Sequence, residues 1–371
     1  VPVVYAAGTV SLIVFREECQ HLTHRVTFEP VDIEIDVERG ESILDAAFRQ
    51  GISLAHGCKE GQCAACKAYV IDGDTDLAKY SNFALSDMER DEGYTLLCKT
   101  HVYADTTIEL LHFDLDTIRS GIPIRTFAAT VEANEELTHD IRLLRIRLTD
   151  PAEMTFHAGQ YVDVKIPGAG AKRSFSMANT PSTRDRLDFI IKMYPGGYFS
   201  GLLAGALGPG DPLEVTGPFG TCTLKEKSER DVIMIGGGAG MAPLWSLANT
   251  LAERGSARNV SFFYGARGTR DLFYVDELRS LGARLPNLTH TLALSEPVAG
   301  DGWTGETGFI TDVVDRLTPD LSEHEAYVCG PPPMVDAAMA LLERRGLPAE
   351  RIHFDKFTIT ASADEGAALP R

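Results

Sequence analysis

The sequence predicts a multidomain chain: a small α+β domain, then an antiparallel β-barrel, then an α/β domain built on a parallel sheet. Three observations carry this. Two alternating runs and one helical run lead into a knot of cysteines; short alternating runs parted by turn residues fill the middle; from Asp231 onward apolar strands alternate with helices. The boundaries fall at 24–118, 124–225 and 229–358, leaving an N-terminal extension at 1–23 without a role and a soft tail at 359–371. With 371 residues, 44% hydrophobic and 24% charged, the chain is long enough for three cores and is not of disordered composition.

In the first domain, "HRVTFEPVDIEIDVERG" places Val31, Ile33, Ile35 and Val37 on one face and Asp32, Glu34, Asp36 and Glu38 on the other, the pattern of a half-buried hairpin strand. In "ESILDAAFRQG", Ile43, Leu44, Ala47 and Phe48 recur at helical spacing, with Ser42 as N-cap and Gly51 as stop. The loop "GCKEGQCAACKAYV" follows, then short strands at "CKAYVIDG" and "TTIELLHF". Cys58, Cys63 and Cys66 have the spacing C-x4-C-x2-C, and Cys98 in "TLLCKTH" supplies a fourth thiolate, which is the plant-type spacing of a [2Fe-2S] cluster. Gly57, Gly61, Ala64 and Ala65 leave room for the loop to wrap a cluster and aim N–H groups at its sulfurs. Zinc ribbons offer two short Cys-x-x-Cys pairs, and only one is present; His56 and His101 replace no missing cysteine, which argues against a Rieske centre.

In the barrel region, "RTFAATVEANEE", "IRLLRIRLT", "QYVDVKIP", "RLDFIIKMY" and "DPLEVTGPFG" alternate and are separated by Gly, Pro and Asn. Here "KRSFSMANTP" offers Arg173, Phe175 and Ser176 on one strand, and "MYPGGYFSGLL" offers Gly196, Gly197 and Ser200 at a helix start. An arginine can hold a phosphate, strand donors can line an isoalloxazine edge, and a glycine-led helix start suits a pyrophosphate, so together they point to FAD. In isolation each is an ordinary strand or turn.

In the third domain, "VIMIGGGAGMAPLWSL" reads as a strand, a turn with Gly236, Gly237, Gly238 and Gly240, and a helix, a geometry that admits a dinucleotide phosphate although it departs from the G-x-G-x-x-G order. "YVCGPPPM" is a second strand end, where Cys329, Gly330 and Pro331 to Pro333 form a rigid lip; Cys329 is either a thiol beside a nicotinamide or a buried strand-end thiol. Arg267 and Arg270 in "YGARGTRDLFY" could meet a 2′-phosphate or be solvated loop charges, which leaves NADH and NADPH both open.

The net charge of −18 argues against nucleic acid or an anionic membrane as a partner. Nineteen Asp and Glu against eight Lys and Arg between His24 and Asp116 put −11 of it on the cysteine domain, a surface suited to a basic protein partner. Seven cysteines, three of them crowded, indicate metal-bound thiols in a reducing compartment, hence the cytoplasm. No apolar run reaches the roughly 20 residues needed to span a bilayer. Cys19, in the opening apolar stretch, receives no role.

From His24 to Phe357 these signatures, in this order, resemble the reductase components of soluble di-iron monooxygenases, of the phenol hydroxylase and propane or cyclic-ether monooxygenase type, within the ferredoxin plus ferredoxin–NADP reductase-like family. The stretches carrying the resemblance are "HGCKEGQCAACKAYVIDG", "SNFALSDMERDEGYTLLCKTH", "AGQYVDVKIPG", "RSFSMANTP", "IGGGAGMAP" and "YVCGPPPM". The resemblance implies a β-grasp ferredoxin domain whose Cys58, Cys63, Cys66 and Cys98 ligate a [2Fe-2S] cluster. It also implies an FAD site with Arg173, Phe175, Ser176, Gly196, Gly197, Ser200 and Phe357, and a nicotinamide site with Gly236, Gly237, Gly238, Gly240, Pro243, Arg267, Cys329 and Gly330. Where the family pattern has tyrosine this chain has Phe175, so a hydroxyl contact is absent and only stacking or packing is left to that residue.

The implied activity is hydride transfer from NADH to FAD, with Ser176 and Cys329 as catalytic residues, then single-electron steps to the cluster and on to an oxygenase hydroxylase component docked at the acidic domain, by a monomeric chain. The same modules serve reductases of Rieske ring-hydroxylating dioxygenases. From another class, a redox sensor would need the cluster alone, whereas this chain carries a complete hydride path.

Overall fold

The computed structural model describes residues 23–357 apart from 112 and 120. The N-terminal extension with Cys19 and the C-terminal tail lie outside the described residues. Residues 23–46, 60–62 and 67–111 make one compact unit; 47–59, 63–66 and the described residues from 113 onward make the other.

In chain order the first part contains β1 (Thr23–Glu29), β2 (Ile33–Glu38), α1 (Ile43–Arg49), β3 (Lys67–Asp72), β4 (Thr75–Leu77), α2 (Asp87–Asp91), β5 (Tyr94–Leu96), β6 (Thr100–Val102) and β7 (Thr106–Leu110). β1 and β2 pair antiparallel, and the alternation read from the sequence buries Ile35 and Val37 with Val26 and Phe28. β7 returns parallel to β1, giving the mixed order β2-β1-β7-β3-β5 of a β-grasp sheet. Ser42 caps α1 by accepting the Asp45 N–H at 3.1 Å, and Gly51 ends that turn at φ 76°. Periodicity did not reveal α2 or the β4–β6 pair, which have five and three residues. A capping box builds α2: Ser86 Oγ accepts from Glu89 N, and Glu89 Oε2 accepts from Ser86 N at 2.9 Å.

After α3 (Leu115–Arg119), the second unit forms a six-stranded antiparallel sheet from β8 (Arg125–Thr138), β9 (Ile141–Asp150), β10 (Tyr161–Lys165), β11 (Lys172–Ser176), β12 (Arg186–Lys192) and β13 (Pro212–Phe219), ordered β11-β10-β13-β8-β9-β12. A bridge from Met177 to Phe189 joins the two edge strands and closes the barrel around Val131, Leu144, Ile146, Val162, Met177 and Phe189. Between β12 and β13, α4 (Tyr198–Gly201) continues into a π-helical turn at Leu202–Ala206.

The last stretch is a parallel sheet of β14 (Asp231–Gly237), β15 (Val260–Ala266), β16 (Leu288–Leu294), β17 (Glu306–Thr307), β18 (His324–Gly330) and β19 (Ile352–Lys356), ordered β17-β16-β15-β14-β18-β19. It is crossed by α5 (Met241–Glu253), α6 (Val275–Arg284), α7 (Ile310–Leu317) and α8 (Pro332–Arg344). Alternate β14 residues are buried on opposite faces: Val232 and Met234 with Leu244 and Leu247 of α5, Ile233 and Ile235 with Val313 of α7 and Val335 of α8. Barrel residues Ile141, Leu143, Ala178 and Ile190 share the α5-side core, and Ser246 Oγ donates to Asn179 O at 2.7 Å, so barrel and parallel sheet pack as one body.

Candidate active site

The strand order reverses between β14 and β18, and the crevice opens at their carboxyl ends, the place where open α/β sheets bind ligands. Gly236 pairs with Cys329 there. A Cβ on Gly240 would lie 2.0 Å from Cys329 O, so only glycine lets the turn approach β18. Gly238 sits at φ 55° with nothing within 4 Å of where a Cβ would be, so its backbone faces open space; from the other side the Tyr264 hydroxyl donates to its carbonyl at 3.1 Å. That open cradle at the start of α5 has the shape a dinucleotide phosphate needs. Pro243 is buried in the first turn of α5, and Pro331 and Pro332 start α8 beside Gly330.

Ser176 ends β11, and its Oγ donates to Asp355 Oδ2 at 3.4 Å. Asp355 in β19 pairs with Cys329 in β18, which sets a hydroxyl, a carboxyl and a thiol in sequence along the crevice. Desolvation pushes the Asp355 carboxyl up to about 6, partly offset by the Ser176 hydrogen bond. Cys329 is fully buried; burial and the hydrogen-bonding thiol of Cys222 push it well above the usual thiol range. A thiol raised in this way is a poor nucleophile.

On β11, Arg173 and Phe175 share one face, and Ser174 and Ser176 the other. Phe175 stacks on Phe199 at 5.4 Å and lies 6.3 Å from Phe189, so it packs on the barrel core. The turn before α4 has Gly196 at φ 75° with open space around it, Gly197 as N-cap, and Ser200 Oγ accepting from Tyr194 N at 2.9 Å. An exposed glycine turn beyond an arginine-bearing strand fits the phosphates of FAD, and Ser176 Oγ fits a ring-edge contact.

In the loop at 56–66, Cys58 N donates to Cys63 Sγ at 3.2 Å, and the Ala65 N–H is a second donor to that sulfur. The hydrogen bond with the Cys58 thiol and then burial push Cys63 upward, both favouring the neutral thiol; bound iron would reverse this. A Cβ on Gly57 would lie 3.0 Å from Cys63 Sγ, and Lys59, Gly61 and Ala64 all have positive φ, so the loop is wound tightly around its sulfurs. Cys66 is buried at the entry to β3. Cys98, in the first unit, is buried in the turn between β5 and β6. No disulfide joins the described cysteines. His56 Nε2 accepts from Gly220 N at 3.0 Å and its Nδ1 donates to Leu54 O at 2.7 Å, and burial pushes the ring down to about 4. It is a neutral structural histidine.

Comparison with known proteins agrees with this geometry. Residues 26–103 match the family described as 2Fe-2S iron-sulfur cluster binding domain, 128–224 match the oxidoreductase FAD-binding domain, and 234–340 match the oxidoreductase NAD-binding domain. The reductase component of propane 2-monooxygenase from Rhodococcus jostii (strain RHA1) is 51% identical over 341 residues, covering 91% of this chain and 92% of that one. The chain belongs to the family of monooxygenase reductase components.

A more distant member, the phenol 2-monooxygenase reductase component DmpP of Pseudomonas sp. (strain CF600), is 36% identical and covers 92% of this chain and 96% of its own. Among solved structures, the Amycolatopsis cytochrome P450 reductase GcoB superposes with a TM-score of 0.82 at 32% identity, covering 91% of this chain and 99% of that one. This reductase is an NADH-dependent oxidoreductase that carries electrons through FAD and a [2Fe-2S] cluster to an oxygenase component.

Within the reductase, Arg267 donates to Asp140 at 3.2 Å and Asp271 at 3.1 Å, so its guanidinium is held by two carboxylates; Arg270 is exposed. Phe357 follows β19, half-buried, with its N–H on Gly330 O at 3.0 Å. Asp355 was not singled out in the sequence, although it lies two residues before Phe357. An acid in the last strand of a parallel sheet was the available signal.

Proposed function

We propose that this reductase serves a soluble di-iron monooxygenase acting on a small alkane or related compound. The identity gradient supports this partner: 51% to a propane 2-monooxygenase reductase component, 36% to the phenol counterpart, and 30% to a toluate 1,2-dioxygenase electron transfer component. The observation carrying the electron path is the β10–β11 pairing, in which Tyr161 stands opposite Ser176 while its hydroxyl donates to Gly57 O at 3.3 Å beside Cys58. One strand thus separates the cysteine loop from Ser176.

In this reading Cys58, Cys63, Cys66 and Cys98 hold the cluster. Arg173 and the Gly196–Gly197 turn with Ser200 hold the FAD phosphates. Gly236 to Gly240, Pro243 and Gly330 seat NADH, and Phe357 lies against the flavin ring. When bound, NADH supplies a hydride, FAD divides the pair of electrons, and the cluster carries them out singly. Ser176 orients the flavin edge, Asp355 receives the Ser176 hydrogen bond and holds or releases a proton near pH 6, and Cys329 packs beside the nicotinamide face. The engagement of Arg267 by Asp140 and Asp271 supports NADH over NADPH. In this reading the protein is also monomeric, and cytoplasmic since thiols outside disulfides suit a reducing compartment.

An anaerobic NADH titration followed by absorbance and low-temperature EPR, with iron and flavin analysis, tests this. Flavin bleaching followed by a reduced-cluster signal is expected; the absence of either would remove the electron path. Reconstitution with purified alkane, phenol and Rieske oxygenases separates the partners, and coupling only to the Rieske system would overturn the assignment.

A further inference from the structure

Lys59 follows Cys58 directly and is wound at φ 58°, a conformation uncommon for lysine. Its side chain is largely enclosed. Nζ lies 2.6 Å from Asp163 Oδ2 and 3.3 Å above the Phe219 ring centroid, with the two side chains only 17% and 14% exposed. An ammonium this enclosed is costly unless it is paired, and here a carboxylate and a π-face both hold it. Asp163 is committed on both oxygens, since Oδ1 accepts from Ser174 Oγ at 2.6 Å. Ser174 stands on β11 between Arg173 and Phe175, two residues before Ser176. Lys59, Asp163 and Ser174 therefore connect the residue after Cys58 to the strand read as lining the flavin. Two residues earlier on β10, Tyr161 makes the parallel attachment to Gly57.

We propose that Lys59 and Asp163 are positioning residues: their ion pair holds the cysteine loop against the β10–β11 pair at the separation that electron transfer from flavin to cluster requires. The inference rests on the reading of Cys58, Cys63, Cys66 and Cys98 as cluster ligands and of Ser176 as a flavin contact. Because transfer probability falls steeply with edge-to-edge distance, releasing one attachment slows that step and leaves hydride transfer at the other end of the crevice untouched. For each NADH oxidised, two ferricytochrome c molecules are reduced and one proton is released, so the two half-reactions can be followed separately.

The test uses the full-length holoprotein and the variants Lys59→Met, Asp163→Asn and the charge-swapped pair Lys59→Asp with Asp163→Lys. Iron content, flavin content and cluster EPR come first; wild-type protein without a cluster signal would mean that the reading of the cysteines has failed, separately from this inference. Each single variant is expected to keep NADH–ferricyanide activity within about twofold and to lose about tenfold in NADH–cytochrome c activity, with the swapped pair recovering part of the loss. Hydrogen–deuterium exchange over 56–66 is expected to quicken in both single variants, whether or not the cluster is loaded. Unchanged exchange, or cytochrome c activity that falls only in step with ferricyanide activity, overturns the proposal. If Lys59→Met loses iron, Asp163→Asn, outside the cysteine loop, decides; if that variant also loses iron, exchange on cluster-free protein decides.

Discussion

The glycine turn at 236–240 and the cysteine loop at 57–66 are both short segments of small residues, yet the space those residues create is used in opposite ways. At Gly240 the missing side chain lets the turn touch the Cys329 carbonyl, and the neighbouring Gly238 faces open space. At Gly57 the missing side chain is taken up by the chain's own sulfur, Cys63 Sγ, and the loop's charged residue is drawn into a pair with Asp163. In the proposed reading the turn is a cradle kept clear for NADH, which comes and goes, and the loop is wound to hold a cluster that stays. On that reading similar composition serves exchange in one place and permanence in the other.

The comparison can be broken most severely at Gly240. Gly240→Ala puts a methyl 2.0 Å from a backbone oxygen that cannot move without shifting β18, at a cost of about 3 kcal/mol or more, and NADH-dependent flavin reduction should fall at least about a hundredfold. Stopped-flow reduction together with thermal melts checks this; near-normal rates would show that the turn can reseat. Cys98→Ser should strip the cluster, read as iron content and EPR signal, while NADH still bleaches the flavin. If flavin reduction is lost as well, the two loops are not independent.

Asp355→Asn probes the crevice between them. Because the carboxyl is raised from its ordinary value to about 6, the folded chain holds a proton between about pH 4 and 6 that the unfolded chain has released, so stability falls as pH rises through that window, by about 3 kcal/mol in all. The variant should melt higher than the parent at pH 7, with the gap closing toward pH 4, and should lose any inflection near pH 6 in hydride transfer. Equal melting shifts at both pH values would contradict a carboxyl held neutral by burial. The smallest effect is expected from Gly57→Ala, whose methyl would press Cys63 Sγ at 3.0 Å and should cost about 1 kcal/mol and slow iron incorporation; reconstitution kinetics measure it.

Much of this was visible in the sequence where the signal is local. Cys58, Cys63 and Cys66 fall within nine residues, and the strand, glycines and helix at 231–253 are contiguous, so spacing alone reports the chemistry. Long strands such as β8 and β9 announced the barrel by alternation. The β4–β6 pair and α2 are too short to show a period, although "SDME" carried the Ser86–Glu89 capping box. Phe175 could be read only as packing or stacking, and its neighbours Phe189 and Phe199 come from β12 and α4, which the fold brings in from elsewhere.

What the sequence by itself determined is the kind and order of the cofactor modules, because each is recognised by residues close along the chain. Only the tertiary structure decided what individual charges do. Asp355 meets Ser176 across 179 residues, and Lys59 meets Asp163 across 104. Arg267 meets Asp140 across 127 residues. A charged side chain has no fixed partner in sequence: burial raises the cost of leaving it alone, and the fold alone determines which opposite charge or hydroxyl is within reach.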